Sequence, residues 1–134
     1  MSDSVVGIFE KVAFPELGIK NVTAKIDTGA YSGAIHCLNI REETVDGRTV
    51  LKFTPLDESH PEHTAVRYRT LPVTSSNGQT ERRFAVHTIV VIRNVEYPIR
   101  ITLAHRAGMK HPVLIGRRFL RLNKLMVDAT QYKK

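Results

Sequence analysis

The sequence predicts an all-β domain. Three observations carry this expectation. Most segments alternate apolar and polar residues with period two, the pattern of half-buried strands. Asp46-Gly47 and Asn77-Gly78 stand between such segments as hairpin tips, because both residue types tolerate the left-handed backbone that tight turns need. Only Arg117–Leu122 reads as a helix, and it is short. With 134 residues the chain can bury one real core and not two, so a single domain over residues 1–134 is expected.

Taken in order, Pro15-Glu16-Leu17-Gly18 reads as a turn. Val22, Ala24 and Ile26 then alternate in a strand that runs into Asp27. Residues 35–40 give a second strand. Asp46-Gly47 joins Glu43-Thr44-Val45 to a strand at residues 50–53, and the polar stretch 55–63 reads as a surface loop. Asn77-Gly78, flanked by Ser75-Ser76 and Gln79-Thr80, is the strongest hairpin tip in the chain. Phe84, Val86, Thr88, Val90 and Ile92 alternate through a long strand, and Val95, Tyr97, Ile99, Ile101 and Leu103 through the next. A late apolar run, Pro112-Val113-Leu114-Ile115, stops at Gly116-Arg117 before the helix. No repeat or interdomain linker interrupts the pattern.

Composition excludes some classes. No apolar run approaches the roughly 18 residues of a membrane-spanning helix, and the polar start Met1-Ser2-Asp3-Ser4 does not resemble a secretory leader. A single cysteine, Cys37, cannot form an internal disulfide, and a cytoplasmic address is expected. The net charge of +7 is unevenly spread: residues 1–67 carry seven bases and ten acids, residues 68–134 thirteen bases and three acids. From Tyr97 to Val127 there is no acid, while Arg100, Arg106, Lys110, Arg117, Arg118, Arg121 and Lys124 all fall there. Such a field attracts an acidic partner. Aromatic residues do not interleave with these bases, which argues against a nucleic acid as the main partner.

One carboxylate is not explained by packing. Asp27 ends an apolar strand and is followed by Thr28, Gly29 and Ala30. Glycine permits a tight turn and close backbone approach, so its N–H can donate to the carboxylate. An Asx turn that merely ends a strand would look the same, and Asp-Thr-Gly alone is a short pattern. The second feature is the late strand ending at Ile115-Gly116-Arg117. In this pair of motifs the chain resembles the retropepsins. More closely, AKIDTGAYSGAIH, TSSNGQTERRF and HPVLIGRRFLRLNKLMVD resemble a bacterial family that carries the name ATP-dependent zinc protease and is retropepsin-like in fold. The resemblance runs from about Phe14 to Asp128.

It implies a closed six-stranded acid-protease barrel with one short C-terminal helix. It also implies an aspartic peptidase in which Asp27, Thr28 and Gly29 are catalytic. Two carboxylates must share one proton in such a site, and no second Asp-Thr-Gly or Asp-Ser-Gly exists in the chain. The active form is therefore expected to be a homodimer with one Asp27 from each copy. Gly116 and Arg117 would support the turn, and Ala30, Ser76, Asn77 and Gly78 would contact the substrate, the Asn77-Gly78 hairpin acting as a cover. Pepsin-like enzymes carry a hydroxyl residue where this chain has Ala30, so activity nearer neutral pH is expected. One departure concerns Arg117. Retropepsins pair the corresponding arginine with an acid just after Asp-Thr-Gly-Ala, whereas Tyr31, Ser32 and Gly33 follow here.

The family name invites a test for ATP and zinc. No phosphate-binding glycine loop is present. Of the six histidines, only His60-Pro61-Glu62-His63 is a close pair, and its proline argues against the helix that displays a zinc-peptidase motif. His36 and Cys37 are adjacent and would face opposite sides of a strand. Neither a cofactor nor a metal is expected. A peptide or protein substrate, possible in acidic or glutamate-tailed form, is the expected partner besides a second copy. Two alternatives stay open: a non-catalytic peptide-binding module on the same barrel, and a zinc-dependent peptidase.

Overall fold

Side-chain alternation decides which residues meet in the core, and hydrogen-bond register decides which strands do. A computed structural model describes residues 4–74, 77–105 and 110–132. Along these run β1 (Val5–Val6), β2 (Phe9–Phe14), a 3-10 turn (Pro15–Leu17), β3 (Ile19–Asp27), β4 (Gly33–Val45), β5 (Arg48–Pro55) and β6 (His63–Ala65). They continue with β7 (Arg69–Thr74), β8 (Thr80–Ile92), β9 (Val95–Ala104), β10 (Val113–Gly116), α1 (Arg117–Leu122) and β11 (Met126–Val127). The chain is mostly β with one short helix among the described residues, as the alternation predicts.

Six strands are joined in a ring of hydrogen bonds. β10 pairs parallel with β3, β3 antiparallel with β2, β2 with β8, β8 with β9, β9 parallel with β4, and β4 antiparallel with β10. Phe14, Ile19, Ile35, Val90, Ile101, Val113 and Ile115 fill the interior. Each such side chain contributes on the order of 1.5–3 kcal/mol by leaving water. Beyond Ile40 strand β4 continues outward with β5 and β6, past a register shift between Leu38 and Arg41 where Asn39 has φ 53°. Asp46 and Gly47 both adopt positive φ, 52° and 77°, as the Asp-Gly hairpin signal requires. The loop expected at 55–63 is shorter: Pro55 completes β5 and His63 opens β6.

Several strands are silent in the alternation, for identifiable reasons. β2 places Glu10 on the same side as the buried Val12 and Phe14, so a charge sits where the pattern calls for an apolar residue. The structure pairs it. Glu10 is 8% exposed, accepts the Gly7 N–H at 2.7 Å, and is bridged by Arg93 at 2.7 Å. Arg93 and Asn94 form the β8–β9 turn with φ of 51° and 67°, which delivers the guanidinium to Glu10 and to Gln131. β7 contains Pro72 and pairs with β8 alone, as edge strands tolerate. β1 and β11 are two residues each and pair parallel, Val5 with Met126 and Val6 with Val127. No helix of the described residues is long and apolar enough to cross a membrane.

Truncating Arg93 leaves a buried carboxylate without its cation. Arg93→Ala should lower unfolding free energy by about 2 kcal/mol in a urea titration; an unchanged midpoint would show that Glu10 is satisfied without it.

Candidate active site

β3 and β4 follow one another in sequence and yet do not pair, because β10 lies between them. It runs parallel to β3, with Val113 beside Ala24 and Gly116 beside Asp27, and antiparallel to β4, with Leu114 beside Ala34. Residues 28–32 must therefore cross the end of β10 to enter β4. The crossing is backbone on backbone. A Cβ on Gly116 would lie 2.5 Å from the Tyr31 carbonyl oxygen and 2.9 Å from the Gly33 nitrogen. A Cβ on Gly33 would lie 2.6 Å from the Leu114 oxygen. Hydrogen bonds fasten the crossing: the Arg117 N–H donates to the Ala30 carbonyl at 2.8 Å, and the Arg118 N–H to Tyr31 at 3.1 Å.

The crossing holds Asp27 at the strand end. Its Oδ1 accepts the Gly29 N–H at 3.0 Å, the contact expected of the Asp-Thr-Gly turn, and the Ala30 N–H donates to the Asp27 carbonyl at 3.2 Å. Asp27 and Ala30 are half-buried, whereas Thr28 and Gly29 are exposed. Gly116 and Arg117 sit against the turn. The Arg117 guanidinium donates to the Thr28 carbonyl at 3.3 Å and lies 5.5 Å from the Tyr31 ring centre. A neutral carbonyl and an aromatic face thus stand where an acid would otherwise meet this arginine, a cation–π contact contributing on the order of 0.5–1 kcal/mol. Tyr31 is a neighbour that the motif alone does not point to.

Asn77 and Gly78 form the exposed tip between β7 and β8. Gly78 has φ 85°, and the Asn77 side chain accepts the Gln79 N–H at 3.1 Å. Ser76 lies outside the described residues. At the base of the tip the hydroxyls of Thr74 and Thr80 are 2.9 Å apart.

The histidines have other occupations. His60 Nδ1 is 3.1 Å from Asp57, His63 stacks on Phe53, and Glu62 pairs with Arg41 at 2.8 Å. The His36 ring meets His105 edge to face at 5.3 Å, while its neighbour Cys37 is fully buried. Among the described residues no group of three or more His, Cys, Asp or Glu could hold a metal ion. Burial pushes the Cys37 thiol up to about 12 from 9.0.

The sequence profile of the RimB-like family, described as retropepsin-like aspartic endopeptidase RimB, matches residues 5–133. The chain belongs to this family. Relatives with a different name also match. A probable alpha-L-glutamate ligase of Shewanella pealeana is 31% identical over 140 residues, covering 98% of this chain and 30% of that protein. A probable alpha-L-glutamate ligase of Desulfotalea psychrophila is 30% identical over 137 residues, covering 96% of this chain and 28% of that protein. The chain thus spans about 30% of the length of these relatives. A crystal structure of a Legionella pneumophila protein of unknown function superposes with a TM-score of 0.76 at 22% identity, covering 96% of this chain and 95% of the other. That likeness extends the agreement to the fold.

Two expectations follow. Gly116→Ala should cost about 2 kcal/mol or more in chemical denaturation, since the added methyl meets backbone and not a movable side chain; a neutral effect would mean that the crossing relaxes freely. The Cys37 thiol should resist aromatic disulfide reagents at pH 8 in the folded protein and react fully after unfolding. Its raised value stabilises the fold below about pH 9, a contribution lost as pH climbs towards 12. Fast labelling of folded protein would contradict the burial.

Proposed function

We propose that the chain is one half of a homodimeric aspartic endopeptidase, with Asp27 of each copy meeting at the two-fold axis. The observation that carries this reading is the Asp27 turn: a half-buried carboxylate at a strand end, fixed by the Gly29 N–H and backed by the Gly116 crossing. In the dimer one aspartate is ionised and takes a proton from water as the water attacks the scissile carbonyl. The other is protonated and polarises that carbonyl. Thr28 and Gly29 hold the turn, and the ring of six strands acts as the rigid acid-protease barrel beneath it. The hairpin tip at Asn77 and Gly78 covers the cleft with Ala30 on its floor, excluding water and gripping an extended peptide. No metal takes part in this scheme, and the protein works in the cytoplasm.

The proposed substrate is an acidic or glutamate-tailed peptide. Two features support it: the excess of bases in the second half of the chain, and the name that the relatives carry, probable alpha-L-glutamate ligase. A ligase and a peptidase that recognise the same glutamyl product would share the shape of that product. The fact that the chain matches about 30% of each ligase favours one second reading, a non-catalytic module that holds a glutamyl peptide for a ligase.

Asp27→Asn separates them. It should reduce cleavage of an acidic peptide by about 10²–10⁴-fold while leaving thermal stability nearly unchanged. A wild-type dimer that binds the peptide and, like the variant, never cleaves it would favour the binding module. Loss of activity on chelation, restored by zinc, would overturn the aspartic scheme.

A further inference from the structure

Three arginines from separate elements converge beside the Asp27 turn. β7, β8 and β9 set Arg69, Ala85 and Thr102 in one cross-strand row, Arg69 opposite Ala85 and Ala85 opposite Thr102. Residues directly opposite share a face, and so do residues two apart on one strand. Arg100 therefore stands on the same face as Arg69, opposite His87. That face adjoins the start of β4: the Thr102 hydroxyl donates to the Gly33 carbonyl at 2.7 Å, and Gly33 is in register with Ile101. Two residues before Gly33 is Tyr31, 50% exposed, whose carbonyl accepts the Arg118 N–H. Arg69, Arg100 and Arg118 thus gather on the flank of the turn that carries Asp27.

Among the described residues none of the three makes an ion pair or a side-chain hydrogen bond; the bridges are made by Arg41, Lys52, His60, Arg83 and Arg93. Tyr31 and Ser32 follow Ala30, so the turn supplies no carboxylate beyond Asp27 itself. The crowding is electrostatically costly: partial burial, then Arg118, then Arg69 hold the Arg100 guanidinium below its ordinary value, and only Tyr31 opposes them. A solvated basic surface would spread its charges and leave them exposed. Here Arg100 and Arg118 are half-buried, and the backbone N–H of Arg118 is tied to the Tyr31 carbonyl.

We propose that Arg69, Arg100 and Arg118 form a subsite that binds side-chain carboxylates of an acidic peptide lying along the Asp27 turn. It rests on the reading of Asp27 as the floor of a peptide cleft. Planar guanidinium forks match carboxylates in two-point contacts, and a peptide running past the turn brings successive acidic side chains to them. A nucleic-acid strand fits less well, since among the described residues this flank offers the exposed rings of Tyr31 and His87 with no series of aromatic stacking surfaces for successive bases.

The test uses the full chain carrying Asp27→Asn, so that the peptide is not consumed, and a fluorescein-labelled hexaglutamate followed by anisotropy at low ionic strength. Adding Arg100→Gln and Arg118→Gln should weaken binding by about tenfold or more. Lys20→Gln with Arg48→Gln, equal in charge removed and distant in the sheet, should change it little. Arg100→Lys with Arg118→Lys, which keeps the charge and loses the fork, should fall between. Equal weakening by the two glutamine pairs would overturn the subsite, leaving only diffuse attraction. So would an oligonucleotide that displaces the peptide and outbinds it. With Asp27 intact, the arginine pair should raise KM for an acidic peptide and leave kcat unchanged. If wild type cleaves acidic peptides and the arginine pair has no effect, the subsite fails and the peptidase reading stands. If hexaglutamate binds through the arginines and no peptide is ever cleaved, the subsite stands and the peptidase reading fails.

Discussion

Two backbones cross at Gly116 with no room for a side chain between them, and the geometry of the site depends on that crossing. β10 enters between two strands that are consecutive in sequence, so the connection from β3 to β4 is forced over its end. Cβ atoms at Gly116 and Gly33 would both strike backbone, which is why the sequence has glycine at these places. Hydrogen bonds from Arg117 and Arg118 then tie the connection to the start of α1. What emerges is a turn whose position is set by the core rather than by its own loop entropy. A carboxylate placed on it is held by the sheet.

The same crossing accounts for the electrostatics of the flank. Since Tyr31 occupies the place after Ala30, Arg117 rests on a carbonyl and a ring, and no acid follows Ala30 in the turn. The fold tolerates this local excess of positive charge because burial elsewhere is extensive and the acids are used in other ways. Glu10 is committed to Arg93, and Glu43 and Glu62 to Arg41. Unneutralised cations next to a fixed carboxylate are the surface on which the proposed acidic-peptide subsite rests.

Much of this was legible in the chain, and the exceptions have physical causes. The long strands β8 and β9 were readable because buried residues recur at every second position, Val86, Thr88, Val90 and Ile92 in one and Ile99, Ile101 and Leu103 in the other. The Asp46-Gly47 tip was readable because its two residues specify the left-handed backbone. β2 was hidden by Glu10, whose partner is 83 residues away and cannot be inferred from local pattern. β7 was hidden by Pro72, and β1 and β11 are too short to carry a period. At the site, Asp27, Gly29 and the late Gly116-Arg117 were legible as contiguous motifs. The Tyr31 ring against Arg117 and the gathering of Arg69, Arg100 and Arg118 were not, because cross-strand register and the backbone contacts of the crossing bring together residues distant in sequence.

The central claim is that catalysis needs one Asp27 from each of two copies, and subunit mixing tests it most directly. Wild type and Asp27→Asn protein are unfolded together, refolded at varied ratios and constant total concentration, and assayed on an acidic peptide. If each active centre requires both aspartates, activity falls as the square of the wild-type fraction. A fall in simple proportion to that fraction would mean that one chain suffices, and the shared half-site would be wrong.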